Sequence, residues 1–212
     1  VAIEGLTLAT APLIYFNKTG RSIEATWKYL LVGSVGIAVA LLGLFFLSYS
    51  AVAGGSEATM EYPLLARIAP FLSKTWLRAG FILVLVGFGT KMGLAPMHTW
   101  KPDAYGEAHG VVGAVLAGGV TSGAFLALLR INHIVTLAGD TLFSSRLFVL
   151  MGLLSMLTAG VFMLNQRDFK RSLAYSSVEH MGILALGTGL GGMRSEERRV
   201  GKECRVRWSS YP

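Results

Sequence analysis

Charge is scarce in this chain of 212 residues. Only 15% are Asp, Glu, Lys or Arg, against 53% hydrophobic. A soluble domain carries about a quarter charged residues, so disorder, coiled coil, collagen and an ordinary soluble enzyme are excluded together. Cysteine is nearly absent as well. The single Cys204 sits close to the C-terminus, which leaves no disulfide framework and no cysteine metal cluster. No Walker loop, CxxC pair or HExxH occurs, and no cofactor, nucleotide or metal site is expected.

What is present is long uncharged text. No charge falls between Lys28 and Glu57, from Ala108 to Leu129, or from Leu147 to Gln166. Each run approaches or exceeds the roughly 20 residues that span a bilayer as a helix. The pattern predicts an all-α polytopic membrane bundle of about six transmembrane helices. They are Val1 to Phe16, Trp27 to Tyr49, Leu77 to Met97, Ala108 to Ile131, Arg146 to Leu164 and Phe169 to Met193. A short amphipathic piece near Tyr62–Leu72 follows the second, and Pro96 is expected to bend or break the third. Gly110, Gly113, Ala117, Gly118 and Gly119 predict close helix approach in the fourth.

The net charge of +7 divides in two. Arg194–Pro212 holds six Lys/Arg and three Asp/Glu, and residues 1–193 hold 13 and nine. Loops after the first, third and fifth helices carry Lys18, Arg21, Lys28, Lys101, Arg167, Lys170 and Arg171. The other side carries Arg67, Lys74, Arg78, Arg130 and Arg146. Seven against five places the first set in the cytoplasm. The partner implied by this charge is a lipid bilayer and not nucleic acid. Both ends read as irregular. The chain opens on Val inside an apolar stretch, which reads as a truncation. Arg194–Cys204 resembles the in-frame translation of a short-read sequencing adapter beginning AGATCGGAAGAGC. Residues 194–212 are therefore expected to form no domain, the alternative being a basic juxtamembrane tail that binds anionic lipid. The transmembrane domain is 1–193.

Two ionisable residues inside the apolar segments stand out. Lys91 is the single charge between Arg78 and Lys101, and Glu4 lies in the first segment. A lysine at mid-bilayer costs about 2.5–3.5 kcal/mol on insertion scales. A bundle accommodates it where the amine faces the interior with water or a carboxylate beside it, and Glu4 is the expected partner. Burial disfavours the ammonium and a nearby carboxylate favours it, so varying the second effect makes the amine take up or release a proton. The alternatives are a static ion pair or a lysine snorkelling to the interface. A break at Pro96 would free backbone carbonyls at depth, tolerated only where protein or water satisfies them. His180 with Glu179, Ser176 and Ser177 is a candidate water chain. His98 (equally an interfacial anchor), Glu24 and Lys170 are further candidates, while Asp103 and Glu107 read as loop-bridging carboxylates and His109 and His133 as helix-end residues.

The stretch GTKMGLAPMHTWKPDAYGEA resembles the signature of the antiporter-like membrane subunits: the proton-translocating subunits of complex I, multi-subunit Na+/H+ antiporters and membrane-bound hydrogenases. VAIEGLTLATAPLIYF, RSIEATWKYLLVGSVGIAVALLG and QRDFKRSLAYSSVEHMGILALG agree in the same order, and the wording is most similar to the hydrogenase-4 component F branch. The resemblance implies a fragment holding roughly the fifth to tenth of about fourteen helices. It implies a proton-relay line of Glu4, Lys91, His180, Lys28 and Lys170. It also implies a subunit without a redox centre, in an oxidoreductase complex of a prokaryotic inner membrane. Its partners would be other membrane subunits and a peripheral redox arm that drives protons or Na+. The alternative is a cation/proton antiporter subunit. His109 stands where many relatives have Pro, and the fourth helix near Thr121 lacks the Lys or His of complex I-type relatives. The relay step after Lys91 is thus unassigned.

Overall fold

The computed structural model describes residues 2–209, with side chains described for residues 2–196. Most of the 194–212 tail thus lies outside the described side chains, and 210–212 lie outside the described residues altogether. Nine α-helices are described: α1 (Ala2–Ile14), α2 (Gly20–Ala53), α3 (Tyr62–Ile68), α4 (Lys74–Met92), α5 (Trp100–Glu107), α6 (Gly110–Val115), α7 (Thr121–Leu137), α8 (Thr141–Leu164) and α9 (Phe169–Ser209). Four stretches among the described residues are long and apolar enough to cross a membrane: α2, α4, the continuous run from Gly110 to Leu137, and α8. The chain is a multi-pass membrane protein. α1 and α9 occupy the first and sixth predicted segments. α1 has 13 residues. Polar groups such as Glu179 and His180 dilute the apolar character of α9, which runs on past Met193 to Ser209.

Local chemistry sets the helix ends. Thr19 and Ser22 form a reciprocal capping box at the start of α2: the Thr19 hydroxyl accepts from the Ser22 N–H, and the Ser22 side chain accepts from the Thr19 N–H. α4 ends at Met92, four residues before Pro96. Gly93 adopts φ +76°, a left-handed conformation that a side chain disfavours, and its N–H closes on Gly89 and Thr90 carbonyls. Residues 93–99 form the break and contain the cis Ala95–Pro96 bond. The chain then resumes as α5. Lys101 is therefore not the loop cation that the charge count assumed. It is fully buried on α5, and the count becomes six against five.

The fourth segment is interrupted by a π-helical turn at Leu116–Val120, where the wider ring leaves the Thr121 hydroxyl bonded to the Ala117 carbonyl. Its small residues do not make the expected close approach. A Cβ built on Gly110, Gly113, Gly118 or Gly119 meets nothing within 4 Å. Small residues permit close packing without compelling it: these four glycines meet no other described helix, while Ala117 packs against a core around α5. The close approaches are elsewhere. Gly36, Ala40 and Gly43 of α2 lie against Gly80, Val84 and Gly87 of α4, and Gly152 of α8 lies against Gly182 of α9, backbone to backbone. One apolar core joins α2, α4, α7 and α8, with Phe81, Val84, Leu128 and Phe148 buried in it. A second gathers Tyr29, Trp100, Ala104 and Leu116 around α5.

A forked ion pair pins one end of α4. Arg78 Nε lies 2.5 Å from Asp140 Oδ2 and Nη2 2.7 Å from Oδ1, in the turn between α7 and α8. The guanidinium holds the Asp140 carboxyl below its ordinary range, and burial opposes it more weakly. A carboxyl depressed in the folded state contributes stability in full above its unfolded value of about 4. That contribution disappears as pH falls through the folded value. Asp140→Asn is thus expected to lower the melting temperature in detergent at pH 7. The gap from the parent should close below about pH 4, and a gap unchanged down to pH 3 would detach the ion pair from stability.

Candidate functional site

The last turn of α4 carries Lys91 into the bundle with no solvent exposure. Its side chain lies against α2 where Gly33 has none; a Cβ on Gly33 would come within 2.6 Å of Lys91 Nζ. The ammonium donates to Thr7 Oγ1 at 2.6 Å and stands 3.5 Å from Glu4 Oε2, both on α1. Glu4 and Thr7 share a face of α1 because three residues make nearly one turn. The Glu4 side chain is 24% exposed. Its other oxygen accepts from Ser34 Oγ at 2.6 Å, across to α2. Lys91 Nζ also lies 5.6 Å from the centroid of the Tyr29 ring, whose hydroxyl is 2.8 Å from Thr10 Oγ1. Ser34, Glu4, Lys91, Thr7, Thr10 and Tyr29 thus form one polar seam between α1, α2 and α4. At 3.5 Å the Glu4–Lys91 attraction is about 5 kcal/mol at an effective dielectric of roughly 20, before desolvation is counted.

Side chains from two elements, α5 and α8, close the break next to this seam. Trp100 Nε1 donates to the Thr90 carbonyl at 2.8 Å. Lys101 Nζ donates to the Met92 carbonyl at 2.8 Å. Ser155 Oγ of α8 accepts from the Ala95 N–H at 2.9 Å. Two of the orphan carbonyls of the helix end, Thr90 and Met92, thereby gain side-chain donors. His98 is buried in the break, with its ring centroid 6.2 Å from Phe162 and 6.3 Å from Tyr175, and its Nδ1 makes no hydrogen bond among the described residues.

A second polar group sits toward one end of the bundle. Lys28 Nζ lies 2.6 Å from Glu24 Oε1 and 2.9 Å from Asp103 Oδ2, and Asp103 Oδ1 lies 2.9 Å from Arg171 Nη2. Asp103 therefore ties α2 to α9 from α5, instead of bridging a loop. These groups, with Arg21 and Glu107, line a polar cleft of about 310 Å³. Lys170 Nζ reaches the Ala108 carbonyl at 3.3 Å, beside the group. Lys28 and Gly33 are five residues apart on α2, a rise of about 7.5 Å, so the cleft lies roughly a turn and a half from the Lys91 seam.

The candidate residues thus divide. Glu4 and Lys91 come together. Lys28, Glu24 and Lys170 gather at the cleft. His98 lies in the break that contains Pro96. His180 joins none of these: it is exposed on α9, and its Nδ1 is 2.6 Å from the Ser176 carbonyl of its own helix. Glu179 makes no ion pair among the described residues. Sequence reasoning missed Thr7, Tyr29, Ser34 and Lys101. Thr7 was within reach from its three-residue spacing to Glu4. Lys101 was not, because a lysine in a Pro-containing polar stretch reads as loop.

Comparisons with known proteins bear on the family and the fold. Residues 1–199 match the family model described as NADH:quinone oxidoreductase/Mrp antiporter, TM. A hydrogenase-4 component F homolog from Methylacidiphilum infernorum is 41% identical over 194 residues, covering 91% of this chain and 41% of the relative. An NADH-quinone oxidoreductase subunit N from Myxococcus xanthus is 35% identical over 188 residues, covering 88% of this chain and 36% of the relative. Among solved structures, a chain of the membrane-bound sulfane sulfur reductase, an archaeal respiratory membrane complex, superposes with TM-score 0.78 and 26% identity. It covers 88% of this chain and 37% of that one. A chain of respiratory complex I from Thermus thermophilus superposes with TM-score 0.72 and 31% identity, over 89% and 39%. The chain spans about two fifths of the length of these relatives.

Proposed function

The chain belongs to the NADH:quinone oxidoreductase/Mrp antiporter transmembrane family, and on that premise we propose that it is part of a proton-translocating membrane subunit of a respiratory or hydrogenase-type complex. The subunit sits in a prokaryotic inner membrane among other membrane subunits. It holds no redox centre, and a partner redox arm drives it. The observation that carries the reading is Lys91: a fully buried lysine at a helix break, with a carboxylate at 3.5 Å and a hydroxyl at 2.6 Å. The names of the relatives, a hydrogenase component and a quinone oxidoreductase subunit, support the coupling to redox chemistry.

Each group has a role that its chemistry allows. Lys91 holds the proton. Glu4 supplies the negative charge that keeps it there, and Ser34 and Thr7 orient the carboxylate and the ammonium. The cleft around Lys28, Glu24, Asp103 and Lys170 is the polar approach from one membrane face. A shift of Glu4 relative to Lys91 changes the attraction on the ammonium and releases its proton.

The test uses the assembled complex in sealed membrane vesicles, with lumenal acidification followed by a pH-sensitive dye. Glu4→Gln is expected to slow coupled proton movement about tenfold, a barrier change of about 1.4 kcal/mol. Glu4→Asp should be milder, because the carboxylate remains and is one methylene shorter. A Gln variant that assembles and moves protons at the parental rate would overturn the Glu4–Lys91 assignment.

A further inference from the structure

The break between α4 and α5 holds a second lysine that the reading above leaves unused. Lys101 is fully buried. Its Nζ donates to the Met92 carbonyl at 2.8 Å and stands 5.7 Å from the centroid of the Tyr105 ring. Lys91 has Glu4, and Lys28 has Glu24 and Asp103. Lys101 pairs with no carboxylate among the described residues.

Closing the helix end does not by itself call for a lysine. The Thr90 carbonyl is met by the neutral indole of Trp100, and the Ala95 N–H by the hydroxyl of Ser155. A neutral donor would satisfy Met92 O as well, without placing a cation in a low-dielectric interior. Lysine adds one property. Its nitrogen carries N–H groups both as ammonium and as amine, so it can gain or lose a proton and keep its bond to Met92 O. The backbone is fitted to its stem: a Cβ on Gly93 would stand 2.5 Å from Lys101 Cδ.

The position also suits a group next in line. Met92, whose carbonyl Lys101 holds, follows Lys91 directly. Tyr29, Trp100 and Tyr105 pack between the two amines, with centroids 5.2 Å and 6.3 Å apart along that series. The fourth crossing has no titratable group from Gly110 to Leu129 to take the proton on. Around Lys101, by contrast, buried polar atoms have capacity to spare. Neither the Tyr105 hydroxyl nor His98 Nδ1 in the same break makes a hydrogen bond among the described residues.

We propose that Lys101 is a second proton-holding residue of the buried line and takes up the proton released by Lys91 across the helix break. The transfer breaks an N–H bond on the Lys91 ammonium and forms one on the Lys101 amine, by way of water. One positive charge moves from α4 to α5 and no electrons are exchanged. Glu4 is left without its cation until Lys91 is protonated again. The proposal rests on the reading that Lys91 holds a proton.

The experiment compares Lys101→Gln, Lys101→Arg and Lys91→Ala in the assembled complex, in the same vesicle assay, with assembly followed on native gels. Gln keeps a donor for Met92 O and does not titrate; Arg keeps the charge and does not release its proton. Both are expected to lower coupled proton movement at least tenfold with assembly unchanged. Recovery of either variant to within twofold of the parent overturns the proposal, because a cap or a fixed charge then suffices. Loss of assembly in both, with assembly kept in Lys91→Ala, assigns Lys101 to structure and overturns it too. Lys91→Ala separates the two readings. If it alone stops proton movement, only the Lys101 proposal fails; if it moves protons normally, the Lys91 reading fails and takes this one with it.

Discussion

Lys91→Ala is expected to abolish coupled proton movement, by at least about 100-fold, while the subunit still assembles. The size of the loss follows from the absence of a substitute. Lys91 is the amine that faces Glu4, and the hydroxyls of Thr7 and Ser34 neither take up nor release a proton at neutral pH. Assembly is expected to survive although Glu4 Oε2, buried and without a hydrogen bond among the described residues, loses its cation. Glu4 keeps its bond from Ser34 and its partial exposure, and the Thr7 hydroxyl already donates to the Ile3 carbonyl at 2.9 Å. The remaining cost is the void left by the lysine stem, about 2 kcal/mol. Lys91→Met fills that void and should recover the stability without the proton movement. Dye-monitored acidification of vesicles, with a native gel for assembly, checks both variants. An alanine variant that acidifies vesicles normally would remove Lys91 from the mechanism.

Gly87→Val is expected to cost about 4 kcal/mol or more and to remove most of the subunit from the membrane. A Cβ on Gly87 would stand 2.5 Å from the Ala40 nitrogen and the Gly36 carbonyl oxygen, and 2.6 Å from Ala40 Cβ. Two of these are backbone atoms, and the third is fixed to the backbone. No rotamer relieves the clash, so the whole α2–α4 face must separate and give up the neighbouring Gly43–Gly80 contact. Gly118→Val is the control, since a Cβ there meets nothing within 4 Å. Immunoblots of membranes should show the Gly118 variant at the parental level and the Gly87 variant depleted. Equal amounts of both would mean that the two helices do not pack as described.

Much of the architecture was legible in the text of the chain. Long uncharged runs located α2, the Gly110–Leu137 crossing and α8, because a bilayer admits little else at that length. The Glu4–Lys91 pairing was legible too, since each is an isolated charge that burial forces toward an opposite one. The helix break was legible from Pro96, though α4 already ends at Met92, before Gly93, whose left-handed turn a proline-centred reading overlooks. The glycines misled. Both Gly118 and Gly87 are small, and only the partner helix distinguishes a contact from an open face.

The sequence by itself determined that this is a membrane bundle of the antiporter-like kind, and that Lys91 and Glu4 meet within it. Those facts are local: hydropathy over 20 residues and a lone ionisable group are read one segment at a time. Only the tertiary structure decided which polar groups share a seam. It joined Thr7 and Ser34 to Glu4 and Lys91, turned His180 outward, and put Lys101 inside the break instead of in a loop. Those facts depend on how one helix face meets another. A buried polar group has to find its partner across elements far apart in the chain, and hydropathy carries no record of that distance.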